Sequence, residues 1–168
     1  MKERYMNVRL LKLKDRISLE EYLAQHKAEC MFICSNLETA GIEYKGANFQ
    51  GEYFGYFDSN NAHAEQLLGV IVHYLNGNVM MHASNHMVLE QLTTYIKIYI
   101  KRPVAGILGP NTQAEYVIEK LGISGACFNF NRNSDLFELN LETLSVLDIP
   151  NNFDIVRAKD IPKDILIQ

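Results

Sequence analysis

The chain has 168 residues, and no apolar run in it approaches the ~18 residues that cross a bilayer as a helix, so no membrane span or membrane partner is expected. There is no long basic run either. Sixteen Lys and Arg stand against 20 Asp and Glu, a net charge of −4. A protein that holds nucleic acid or an anionic membrane surface by charge alone is therefore not expected. The opening residues, MKERYMNVRLLKLKD, lack an apolar core followed by a small-residue cleavage site. No signal peptide is expected and a cytoplasmic location is, with export by a route lacking a cleaved signal left open. Cysteine is scarce and odd in number: Cys30, Cys34 and Cys127 fit reduced thiols better than a disulfide scaffold. Low-complexity segments are absent. At 48% apolar and 21% charged, the composition is that of an ordinary folded domain. A domain of ~150 residues buries roughly two-thirds of its unfolded surface, so one domain without covalent staples is expected.

The segment 7–13 reads as a strand. Ser18 and Glu21 have capping-box spacing and predict a helix start there. Leu19, Tyr22, Leu23, Met31, Phe32, Ile33 and Leu37 predict one long or two abutting helices, stopped at Gly41. Strands follow at Tyr53–Phe57, Leu67–Leu75 and Asn78–His82, with Asp58–Asn61 as a turn cluster and Asn76-Gly77 as a hairpin in which both residues accept positive φ. Tyr53, Phe54, Tyr56 and Phe57 alternate faces, which leaves one pair free to be exposed as a docking patch. Val88, Leu92, Tyr95, Ile96 and Tyr99 predict a helix ended by Arg102-Pro103. Val104–Leu108 predicts a short buried strand, and Thr112 with Glu115 a second capping box. Ala126–Phe130 and Leu136–Leu141 predict a hairpin around Arg132–Asp135. This order predicts an α/β (α+β) fold: a mixed, mostly antiparallel central sheet flanked by helices, with a parallel contact near its middle. The order argues against a Rossmann unit, which would alternate from the start and carry a glycine fingerprint after its first strand.

Asn111-Thr112-Gln113-Ala114-Glu115-Tyr116-Val117-Ile118-Glu119-Lys120-Leu121-Gly122-Ile123 is the most specific stretch. It resembles a segment of the GNAT superfamily of N-acetyltransferases that often reads N-x-x-A-x-x-x-Y-x-x-x-G-F. Asn111, Ala114 and Gly122 fall in register, and Ile123 stands where the aromatic usually sits. A capped amphipathic helix with a glycine stop gives a similar pattern outside any family. Val8-Arg9 followed by Asp15 also resembles the family's opening strand and helix cap. The resemblance spans roughly residues 5–141 and implies a GNAT-like sheet, acetyl-CoA as cofactor and an amine acceptor.

Two departures stand beside it. The family's tyrosine, which often protonates the leaving thiolate, is replaced here by Ile118, which has no proton to give. Tyr116 is a weak substitute, two residues earlier and ~200° around the helix. The family's phosphate loop, Q/R-x-x-G-x-G/A, corresponds to His82-Ala83-Ser84-Asn85-His86-Met87-Val88-Leu89-Glu90, which has neither glycine nor arginine. Side chains there crowd a close backbone approach. No catalytic residue is therefore assigned. If acetyl-CoA binds, it is expected along Met81, His82 and Ala83, with phosphates at Asn85, His86, Met87 and Val88 and Asn111 alongside. Binding in this domain is expected to be weak or absent.

Asp154–Pro162 resembles the opening Val8-Arg9…Asp15, as an edge strand and frayed tail also would. The expected organisation is a GNAT-like domain over 1–150, with 151–168 a linker and the first strand of a second, truncated GNAT domain. The function expected is that of a non-catalytic GNAT half, supporting or presenting substrate to a catalytic half in the same protein. A stand-alone N-acetyltransferase acting on a protein or small-molecule amine is the alternative, and an interaction module without acyl chemistry is a third. No metal is expected. His82 and His86 are four apart, but the helix-start pair Ser84-Asn85 lies between them. Cys30 and Cys34 are read as small buried hydrophobes.

Overall fold

The structure, a computed structural model, describes residues 7–58, 65–123, 131–135, 137 and 142. The chain divides into two compact units, Met1–Leu136 and Phe137–Gln168. Cys127, the strands of the C-terminal hairpin, the boundary at 150 and the segment Asp154–Pro162 lie outside the described residues.

The first unit is an α+β fold. Its strands are β1 (Val8–Leu10), β2 (Gly51–Asp58), β3 (Gln66–Tyr74), β4 (Asn78–Ala83) and β5 (Gly106–Leu108). They lie side by side in chain order; β1 to β4 pair antiparallel and β4 pairs with β5 in parallel, so among the described residues the parallel contact lies at one end of the sheet rather than near its middle. The helices are α1 (Arg16–Gln25), α2 (Met31–Ala40), α3 (His86–Tyr99) and α4 (Asn111–Leu121). A parallel strand pair needs a crossover, and α3 supplies it.

Side-chain alternation assigns each strand residue to one of two cores. Tyr53, Phe57, Val70 and Val72 pack with Leu19, Tyr22 and Leu23 of α1 and Ile33 and Leu37 of α2. Phe54, Tyr56, Ile71, Met81 and Ala83 pack with Val88, Leu89, Leu92 and Ile96 of α3 and Val117 of α4. Both faces of the sheet are thus covered. The expectation of an exposed aromatic pair in β2 is overturned, since Tyr53, Phe54, Tyr56 and Phe57 are all buried.

Local chemistry shifts several boundaries. The first strand stops at Leu10, and the chain bends into a 3-10 turn over Leu13–Asp15. There Asp15 Oδ2 accepts from the Lys12 N–H at 2.9 Å, and Oδ1 takes the Arg9 guanidinium at 2.9 Å. Helix α1 consequently starts at Arg16, and Ser18 lies inside it rather than capping it. The expected helical stretch is two helices meeting at the turn 26–30, and Gly41 closes α2 at φ 75°. In the β3–β4 turn only Gly77 takes positive φ (83°); the Asn76 side chain accepts instead from the Asn78 N–H at 3.1 Å. Thr112 and Glu115 do not form a cap, because Pro110 holds the N-cap position of α4 without a side-chain bond. Strand β5 is only half-buried, unlike the buried strand expected over 104–108.

Candidate functional site

The parallel pairing of β4 and β5 ends at Met80 opposite Leu108, while β4 runs on to Ala83. The backbone of Met81–Ala83 therefore faces a gap that β5 does not fill. Gly109 closes its near end: a Cβ there would collide with Met81 Sδ and stand 3.0 Å from the Met81 carbonyl oxygen. Gln113, from the first turn of α4, closes the far end. Its Oε1 accepts from the Ala83 N–H at 2.9 Å and its Nε2 donates to the Ala83 carbonyl at 3.0 Å. A single side-chain amide so reproduces the donor–acceptor pair that a neighbouring strand would offer.

Helix α3 begins immediately after this edge. Asn85 is its N-cap, and Asn85 Oδ1 accepts from the Val88 N–H at 3.0 Å. The side chain so uses one of the amides that a helix N-terminus could turn toward an anion. Asn85, His86 and Met87 are exposed, and Val88 is buried beneath the sheet. The His86 ring meets the Tyr116 ring edge-on at 4.6 Å between centroids. Tyr116 thus faces the start of α3, on a different side of α4 from Ile118. Burial, with Glu90 and Glu119 nearby, pushes the Tyr116 phenol above its ordinary pKa and makes it a poorer proton donor. Ile118 is half-buried. Asn111 lies at the exposed start of α4, and its Nδ2 donates to Glu115 Oε1 at 3.2 Å. Of the residues expected to line a cofactor, Met81, His82, Ala83, Asn85, His86, Met87 and Val88 form one continuous stretch. Asn111 is turned to its own helix.

On the other face of β4 a polar cluster forms that the sequence reading did not anticipate. His82 is buried, and its Nδ1 lies 2.6 Å from the Tyr22 hydroxyl. The His26 ring lies tilted against it, with centroids 4.2 Å apart and planes at 34°. Glu29 joins them: one ligand-type atom from each of His26, Glu29 and His82 lies within 4.8 Å of the others. Burial, then the neighbouring His26, holds the His82 imidazole below its ordinary pKa. His86, the partner that sequence spacing suggests for His82, sits on α3 and takes no part. Cys30 is buried beside the cluster and its thiol is pushed up to about 12, chiefly by burial, which makes it unreactive.

Comparison with family models, with curated proteins and with solved structures finds no match for this chain.

Proposed function

We propose that this chain is a GNAT-like domain without acyl-transfer chemistry of its own, which packs against or presents substrate to a catalytic GNAT domain of a tandem N-acetyltransferase. One observation carries the reading: Gln113 occupies the β4 edge at Ala83 with both of its amide groups. A thioester cofactor laid along that edge would need the same N–H and C=O, and could reach them only by expelling Gln113. The Asn85 cap takes one amide at the start of α3, the glycine-free sequence there crowds a close approach of phosphates, and Ile118 supplies no acid. The scaffold half of the reading draws support from the element order, the parallel β4–β5 contact and the extension of β4 beyond the end of β5. The partner half rests on the resemblance.

Isothermal titration of the full chain with acetyl-CoA tests this. The expected result is no binding tighter than ~1 mM, about −4 kcal/mol. Micromolar binding, or turnover of acetyl-CoA with an amine panel, would refute it and favour a stand-alone acetyltransferase.

A further inference from the structure

The geometry points to a divalent transition-metal site formed by His26, Glu29 and His82, a reading independent of the one on acyl transfer. Two imidazoles and a carboxylate are a donor set that suits ions of the zinc class. They converge from two separate parts of the fold: His26 and Glu29 from the turn between α1 and α2, His82 from the end of β4.

His82 is the oriented ligand. The Tyr22 hydroxyl contacts both His82 Nδ1, at 2.6 Å, and the His82 carbonyl oxygen, at 3.3 Å. The hydroxyl has one hydrogen. Both contacts are satisfied together only when that hydrogen goes to the carbonyl and Nδ1–H donates to the hydroxyl oxygen. The Nε2 atom then carries the lone pair, and no hydrogen bond to it forms among the described residues. A metal-bound histidine commonly has its second nitrogen held in this way, and Tyr22 is the positioning residue.

The other two ligands can move to meet the ion. An ion held at ~2.1 Å by each ligand in tetrahedral geometry spaces the donor atoms ~3.4 Å apart. The present limit of 4.8 Å between donor atoms therefore has to shorten. Glu29 is exposed and His26 half-exposed, both in a turn, so rotation of their side chains can supply the closure while the core stays fixed. His26 must swing off the face of His82 to present a nitrogen. Three protein ligands leave a fourth position for water or a further ligand. The ion would pin the α1–α2 corner to the end of β4.

Titration of the metal-free full chain with Co²⁺, followed by Zn²⁺ displacement, tests the site. One equivalent of ion is expected to bind with a Kd of about 10 µM or tighter, with visible Co²⁺ bands of four or five coordination. His26→Ala and Glu29→Gln lie outside the core, and each should weaken binding at least ~10-fold with an unchanged circular dichroism spectrum. Tyr22→Phe keeps all three ligands and should weaken binding by roughly 10-fold through the lost orientation of His82. The site is refuted by no saturable binding below ~1 mM, by wild-type affinity in either His26→Ala or Glu29→Gln, or by a thiolate charge-transfer band that puts the ion on cysteine.

Discussion

Replacing Gln113 removes two hydrogen bonds at once, and the size of the loss can be worked from its surroundings. Ala83 is only 4% exposed, yet Gln113 itself is half-exposed. In a dry site, leaving the Ala83 N–H and C=O without partners would cost ~1–3 kcal/mol for each group. With Gln113→Ala the gap opens to water, which refills part of it, so each bond counts nearer its net value of ~0.5–1.5 kcal/mol. The expected destabilisation is about 1–3 kcal/mol for the two bonds. With a urea slope of ~1.5 kcal/mol/M, the midpoint falls by ~0.7–2 M. Gln113→Glu sharpens the test because it preserves size and helix propensity. The ionised carboxylate of that variant accepts from the Ala83 N–H but repels the Ala83 carbonyl, so at neutral pH it should cost at least as much as alanine. Protonation restores a donor, so its deficit should shrink as pH falls below ~4.3. Urea denaturation followed by circular dichroism reads both variants. Stabilities of both within ~0.3 kcal/mol of the wild type would mean that the Gln113–Ala83 pairing contributes nothing.

Three further outcomes are expected. Gly69→Ala should cost ~1–3 kcal/mol in chemical denaturation, because a Cβ at Gly69 would stand 2.6 Å from Val88 Cγ1 and 3.0 Å from Leu92 Cδ1; a neutral result would mean that α3 can lift from β3 freely. Asn85→Ala should cost ~1 kcal/mol by removing the cap of α3, whereas Asn85→Asp should stay near wild type. Burial, then the nearby Arg102, holds the His73 pKa below 6.5, with the Pro103 carbonyl opposing. The unfolded chain therefore takes up a proton at His73 before the folded one does. Stability from this residue is complete above pH ~6.5 and falls with pH through the window below it, by at most ~1.4 kcal/mol per unit. In His73→Gln that part of the decline, measured by urea midpoints between pH 7.5 and 5.5, should vanish; an unchanged slope would contradict the assignment.

The parts of the fold that local chemistry dictates were legible in the sequence. Asn76-Gly77 marked the β3–β4 turn, Gly41 the end of α2 and Ser84-Asn85 the start of α3, because each acts through backbone groups a few residues away. The mixed sheet followed from the order of those elements. What failed was decided at long range or by competition between caps. Ser18-Glu21 has cap spacing, but Asp15 with Lys12 and Arg9 starts the helix earlier. The β2 aromatics alternate as a half-exposed strand would, yet helices lie on both faces of the sheet. The candidate site was half legible. The stretch 81–88 stood out as a strand-to-helix junction, whereas Gln113 looked like any surface glutamine, and its partner Ala83 lies 30 residues away. His26 and Glu29 share no spacing motif with His82, since only the fold brings the α1–α2 turn to the end of β4.

Gln113 holds the β4 edge at Ala83 through both backbone groups, and the proposed function requires that acetyl-CoA not displace it. The most direct measurement follows the backbone amide of Ala83 by heteronuclear NMR during addition of acetyl-CoA. The expected result is a slowly exchanging amide, paired with Gln113 Oε1, that keeps its position up to ~1 mM ligand. A saturable shift of the Ala83 amide at micromolar acetyl-CoA, together with release of the Gln113 side-chain amide, would contradict it.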